Sequence, residues 1–141
     1  MADIFDRGDA LGPGKVVHAC EPSVGLRAVL VIDNVARGPS VGGLRMAPDV
    51  SVEECIRLAR AMTLKNAAAG LAHGGGMSVL WGDARMPREA NERLIRAFAH
   101  ALRPGSPSKS ATALRSDARG RRSDFDRGGT TVHRLDVRDD L

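Results

Sequence analysis

Two apolar rhythms alternate along the first hundred residues. Lys15–Cys20 and Leu26–Asp33 are short runs rich in Val, Ile, Ala and Leu, separated by the turn-forming Glu21-Pro22-Ser23-Val24-Gly25. Apolar, β-branched runs of this length on either side of a tight turn predict two antiparallel strands. Gly38-Pro39-Ser40 and then Gly42-Gly43 mark a loop-like stretch. From Val52 the rhythm changes. Val52, Cys55, Ile56, Ala59 and Met62 recur at three- and four-residue intervals, which is the spacing of one helix face. Ser51 stands just before this run with Glu54 three residues on, the pattern of a capping box. The helix is predicted to reach about Ala69, with Gly70 as its C-terminal stop.

Ser78–Trp81 reads as a short buried strand entered through Gly74-Gly75-Gly76. Pro87 suits the first position of a second helix, where its missing N–H costs nothing. Leu94, Ile95, Phe98, Ala101 and Leu102 give that helix one apolar face, ending before Pro104. Strands interrupted by helices predict an α/β fold, a small mixed sheet packed with helices. Beyond Pro104 the pattern stops. Residues 104–141 are rich in Ser, Gly, Arg and Asp and carry few large apolar side chains at any regular period. Such a segment buries too little surface to offset its ordering entropy. The expected organisation is a lead segment 1–14, one domain over 15–103, and a disordered, low-complexity tail over 104–141 with a short element around Thr130–Val137.

Composition narrows this picture. A chain of 141 residues suits one modest domain, and with only 3% aromatics its core must rest on aliphatic side chains. The net charge of +4 invites a nucleic-acid reading, but Arg and Asp interleave through the C-terminal third and aromatic rings to stack on bases are scarce. No nucleic-acid partner is expected. No run approaches the roughly 18 apolar residues of a membrane span, and the N-terminal MADIFDRGDA lacks the apolar stretch of a signal peptide. The expectation is a cytoplasmic protein without a membrane partner. Cys20 and Cys55 form no metal-type or redox-type pair and read as small buried hydrophobes. His18, His73, His100 and His133 are far apart, so no metal site is expected.

Candidate chemistry is confined to two places. Lys65 lies near the end of the first helix in MTLKNAAAG, among apolar neighbours that suggest partial burial. A lysine held in a cleft is a point cation suited to a carboxylate, and the plainer alternative is a surface lysine lying along its own helix. Gly74-Gly75-Gly76 lets a backbone approach something closely, either a ligand or another chain segment. It is not a P-loop, because Met77 and Ser78 stand where Gly-Lys-Ser/Thr is required, and Gly12-Pro13-Gly14-Lys15 is too short for one. No GxGxxG occurs, so no nucleotide cofactor site is expected within this chain.

Taken in order, GPSVGGLRM (Gly38–Met46), MTLKNA (Met62–Ala67) and the triple glycine with its strand and Gly82-Asp83 closely resemble the N-terminal domain of the glutamate/leucine/phenylalanine/valine dehydrogenases. The resemblance covers about 15–103 and is most specific over 38–83. Its compact loop looks nearer to the leucine and valine enzymes than to glutamate dehydrogenases. It implies an oxidoreductase that deaminates an L-amino acid with NAD or NADP. The N-terminal domain of these enzymes supplies the substrate pocket and subunit contacts, and a separate Rossmann domain holds the nucleotide. By this resemblance Lys65 matches the lysine that grips the substrate carboxylate. Gly42 and Gly43 match the loop lining the pocket, Met62 matches an apolar wall, and Gly75 and Gly76 belong to the turn leading into the catalytic position.

Three departures qualify the resemblance. Met77 occupies the position of the family's catalytic lysine. A thioether neither titrates nor carries charge, and loss of a general acid/base costs about 10²–10⁴ in rate. The aspartate-bearing GPDxGT-like segment does not follow the second helix, and the Rossmann domain has no counterpart in these residues. Similarity lapses after about residue 103, as in a truncated or frameshifted chain. The expectation is a family member present as its N-terminal domain only and inactive alone, with no catalytic residue of its own. Its expected ligand is an amino acid or keto acid, and its expected partner is a second copy or a full-length dehydrogenase subunit. The alternative is a non-catalytic amino-acid-binding or subunit-assembly module.

Overall fold

Strand β1 (Lys15–Glu21) turns back into β2 (Leu26–Asn34) through a single 3-10 turn at Pro22–Val24. Gly25 closes that turn in the left-handed region, at φ 70°, which glycine adopts without a Cβ penalty. The two strands pair antiparallel from Lys15 opposite Ile32 to Glu21 opposite Leu26, as the sequence pattern predicts. The computed structural model describes residues 3–83 and 85–103, together with strands at 113–116 and 133–138. After β2 come β3 (Ser40–Ala47), α1 (Val52–Ala68), β4 (Gly74–Trp81) and α2 (Arg88–Ala101). Two further strands, β5 (Ala113–Ser116) and β6 (His133–Arg138), complete one sheet in the order β1-β2-β4-β3-β6-β5. β3 and β4 are parallel neighbours joined by α1, a βαβ unit, and the other pairs are antiparallel.

Alternation along each strand sorts the side chains between two cores. Leu26, Ala28 and Leu30 of β2, Leu44 and Met46 of β3 and Leu80 of β4 face Leu94, Phe98 and Leu102 of the α2 segment. Val29 and Val31 of β2 and Val79 of β4 face the other way, onto Cys55 and Ala59 of α1. The sheet is therefore the middle of three layers. Phe98 is the largest fully buried side chain. Phe98→Ala is expected to lower unfolding free energy by about 3–5 kcal/mol, measured by urea denaturation.

Helix α1 starts as its sequence predicts, with the Ser51 hydroxyl accepting from the Glu54 N–H at 3.1 Å. The second half of the capping box is absent. The Glu54 carboxylate instead lies 2.9 Å from Nε of Arg45 on β3, an ion pair without hydrogen-bond geometry. The helix ends in a Schellman motif: Gly70 N–H donates to Ala67 and Leu71 N–H to Asn66, with Gly70 at φ 67°. Pro87 caps α2 rather than opening it, and its carbonyl accepts from Ala90 and Asn91.

Two expectations change. Gly42-Gly43 and Gly74-Gly75-Gly76 are strand residues in β3 and β4, not a loop and a turn. Chain segments pass so close there that a Cβ on Gly42 would meet the Gly76 carbonyl, and one on Gly74 the Asn34 carbonyl. Cys55 is buried as expected, but Cys20 is exposed, because alternation points it away from the α2 core while α1 packs over β2 and β4. Within 104–141, the structure describes β5 and β6, the latter overlapping the element expected around Thr130–Val137. The rest of that segment lies outside the described residues. No helix among the described residues is long and apolar enough to cross a membrane.

Candidate functional site: an apolar groove with one cation

The C-terminal half of α1 overhangs the parallel pair β3–β4. Leu58, Ala61, Met62 and Lys65, spaced i, i+3, i+4 and i+7, share one side of the helix. Below them lie Val41, Gly42 and Gly43 of β3 and Met77 of β4, and Leu71 and His73 close one end. Together they enclose a groove of about 460 Å³. Lys65 is its only formally charged residue, and no carboxylate lines it among the described residues. The Lys65 ammonium makes no ion pair or hydrogen bond with a described residue.

Four residues singled out from sequence therefore meet in one place: Gly42, Gly43, Met62 and Lys65, with Met77 opposite. Lys65 is exposed rather than partly buried, because the last turn of α1 carries it to the rim. Gly75 and Gly76 do not line the groove. They are buried in β4, where a Cβ on Gly75 would strike the backbone of Thr63 and one on Gly76 the hydroxyl of Ser40. The close partner of the triple glycine is thus another chain segment.

Sequence reasoning missed the residues that hold the groove open. Asn66 is buried, and its amide nitrogen donates to the Gly74 carbonyl at 2.7 Å and to the Val41 carbonyl at 3.5 Å. One side chain thereby ties the end of α1 to the starts of β3 and β4. One turn earlier, the buried Asp33 carboxylate accepts from the Thr63 hydroxyl at 2.6 Å and from Nε of Arg60 at 2.9 Å. The far side of the Arg60 guanidinium donates twice to Asp9, at 2.8 Å each, and once to the Gly12 carbonyl. Arg60 so clamps the lead segment, α1 and β2 together. Its hydrogen bonds hold the Asp9 carboxyl well below the ordinary range, helped by the Leu11 and Gly12 amides. The only sequence signal for these residues was a polar side chain interrupting an apolar run.

Cys55 sits beneath the groove, where its thiol donates to the Met77 carbonyl at 3.3 Å. Burial pushes it up to about 12, so it is a packed thiol rather than a nucleophile.

A family model described as the Glu/Leu/Phe/Val dehydrogenase dimerisation domain matches residues 15–113. The chain belongs to this family. The match runs ten residues past the boundary at 103 read from sequence. Leucine dehydrogenase of Bacillus subtilis (strain 168) is 42% identical over 88 residues, which cover 60% of this chain and 24% of that protein. Valine dehydrogenase of Streptomyces virginiae is 40% identical over 94 residues, covering 64% and 26%. Among solved structures, the hetero-hexameric glutamate dehydrogenase of Thermus thermophilus in its Leu-bound form superposes with a TM-score of 0.58 at 29% identity, over 64% of this chain and 24% of that one. The chain spans about a quarter of the length of the relatives it matches.

The family implies a nicotinamide nucleotide, and the residues described here do not fit one. The single βαβ unit among them enters its helix at Asp49-Val50-Ser51 and places Glu53 and Glu54 in the first turn. Carboxylates there oppose a pyrophosphate, and no glycine-rich turn brings backbone N–H groups to it.

Proposed function

We propose that this domain is the carboxylate-holding half of an amino acid dehydrogenase site, one that seats an amino acid or keto acid without transferring hydride by itself. The observation that carries the proposal is the Lys65 ammonium, without an ion pair among the described residues, on the rim of a groove formed with Gly42, Gly43 and Met62. The ammonium supplies a charge-assisted contact to the carboxylate, and the Met62, Leu58 and Met77 side chains exclude water from the rest of the ligand. Met77 stands where the family's catalytic lysine is found, so no cationic acid/base reaches the α-carbon from β4. The helix entry at Asp49–Glu54 does not suit a pyrophosphate, so among the described residues no nucleotide seat accompanies the groove.

Titration calorimetry with 2-oxo-4-methylpentanoate tests the reading. Lys65→Ala should weaken binding at least tenfold, about the worth of one charge-assisted contact, with the thermal melt unchanged because Lys65 is exposed. Unchanged affinity in that variant removes Lys65 from the site. In a spectrophotometric assay with leucine and NAD or NADP, the isolated chain should show no turnover above background, and clear turnover refutes the inactivity.

A second reading has its own observation. The outer side of β1 is an edge of the sheet, and the matching family model is described as a dimerisation domain. An open strand edge offers unpaired N–H and C=O groups to another strand. Self-association, or association with a full-length dehydrogenase subunit, through Lys15–Glu21 would make the chain an assembly module. A single monomeric mass in light scattering across concentration, with and without such a subunit, argues against it.

A further inference from the structure

We infer that the Asn66 side-chain oxygen is a further binding group of the groove, accepting a hydrogen bond from the α-ammonium of an amino acid whose carboxylate rests on Lys65. The inference rests on the carboxylate reading of Lys65 and adds that the groove prefers an amino acid to the same acid without its amine.

The groove has a polar end and an apolar end. Asn66 bonds to the carbonyl of Gly74, the chain neighbour of His73, so Lys65, Asn66 and His73 gather where α1 finishes. Leu58, Ala61 and Met62 come earlier on the helix. The thiol of Cys55, near the start of α1, donates to the Met77 carbonyl, which places Met77 toward that earlier half as well. This layout suits a ligand with a charged head and an apolar tail.

The Asn66 amide can face only one way. Its nitrogen donates to the Gly74 carbonyl at 2.7 Å and to the Val41 carbonyl at 3.5 Å. A flipped amide would set its oxygen against two carbonyl oxygens. The oxygen is therefore turned away from both strands. It accepts from no described residue. Nor is it sealed off, since the enclosed, unpartnered side-chain atoms among the described residues are Arg45 Nε, His73 Nδ1, Ser78 Oγ and Asn91 Oδ1. Asn66 as a whole is 6% exposed and lines the groove. An acceptor held in place by its own N–H bonds offers a ligand a hydrogen bond at little ordering cost. The carboxylate and ammonium of an amino acid hang from one carbon, and Lys65 and Asn66 are consecutive residues of one helix end. A ligand seated on the first brings its N–H donors toward the second, and their charge strengthens the bond.

Calorimetry on the full chain with leucine, 4-methylpentanoate and N,N,N-trimethylleucine tests the inference. Leucine is expected to bind at least about tenfold more tightly than 4-methylpentanoate, the worth of one hydrogen bond from a charged donor. The trimethyl compound keeps the charge without N–H donors and should lose that preference. Either of these two ligands binding as tightly as leucine overturns the inference. In Asn66→Ala the ratio of leucine to 4-methylpentanoate affinity should fall to about one, whereas a merely structural loss weakens both ligands equally and leaves the ratio intact. Asp136, paired in register with Val41, and His73 are the rival acceptors. A ratio that survives Asn66→Ala but collapses in Asp136→Asn or His73→Leu assigns the ammonium elsewhere and overturns the inference. Lys65→Ala should weaken leucine and 4-methylpentanoate alike. If it does so while leucine shows no preference, the carboxylate seat stands and the Asn66 contact falls. Binding indifferent to Lys65→Ala, or no binding by any of the three at millimolar concentration, overturns both.

Discussion

Asp33→Ala is expected to cost about 3–5 kcal/mol of stability, the range for removing one partner of a buried ion pair. Asp33 is 1% exposed and makes three hydrogen bonds, two from Arg60 Nε and one from the Thr63 hydroxyl. Its loss leaves Arg60 Nε and the Thr63 hydroxyl without that acceptor, while the outer nitrogens of Arg60 keep Asp9 and the Gly12 carbonyl. For a domain whose whole stability is about 5–15 kcal/mol, this removes a large part. Urea denaturation monitored through Trp81 fluorescence measures it. The double variant Asp33→Ala with Arg60→Met should recover part of the loss, because the Nε left without its inner acceptor is removed as well. A cost under about 1 kcal/mol for Asp33→Ala would place the pair in effectively solvated surroundings.

The outer half of the same clamp has a pH signature. Arg60 hydrogen bonds depress the Asp9 carboxyl below its ordinary value of 3.8. A depressed acid contributes stability that is complete above its unfolded value and is lost as pH falls through its folded one. Stability should therefore hold steady down to about pH 4–5 and decline below it. Asp9→Asn should flatten that acid limb. An unchanged acid limb in this variant means that the exposed Asp9 contact is screened out.

Gly75→Ala is the second substitution with a large expected effect. A methyl at Gly75 would occupy the space of the Thr63 backbone N and Cα and the Thr63 hydroxyl. Neither the helix backbone nor a buried central strand can give way by rotamer change. The expected cost exceeds the about 1–3 kcal/mol of ordinary overpacking, in the range of about 4 kcal/mol or more reserved for such collisions. Lifting α1 from β4 also pulls Asn66 from Gly74 and spreads the groove, so carboxylate binding should fall in whatever fraction stays folded. Gly25→Ala is the control. Its φ of 70° is strained for alanine but nothing lies within 4 Å of the new methyl, so only the left-handed penalty of about 1–2 kcal/mol applies. Equal melting temperatures for the two variants would show that the α1–β4 contact relaxes freely.

Part of this protein was readable as written. Periodicity of two and of 3.6 identified β1, β2, α1, α2 and their buried faces, because those elements are specified by local alternation and by caps such as Ser51, Gly70 and Pro87. The motifs around Gly42, Met62 and Lys65 drew attention to residues that the fold brings to one groove with Met77. The glycines were misplaced because a chain read alone cannot show what lies beside it. Gly42, Gly75 and Gly76 look like turn residues in sequence and are strand residues in fact, since their missing side chains make room for Gly76, Thr63 and Ser40 from elsewhere in the chain. The Arg60 clamp escaped for the same reason. Its partners lie 27 and 51 residues away, and hydrogen bonds at that separation leave no periodic trace. Local pattern thus determined which segments form helices and strands. The packing of α1 against β3 and β4 decided that Met62 and Lys65 of the helix share one groove with Gly42, Gly43 and Met77 of the sheet.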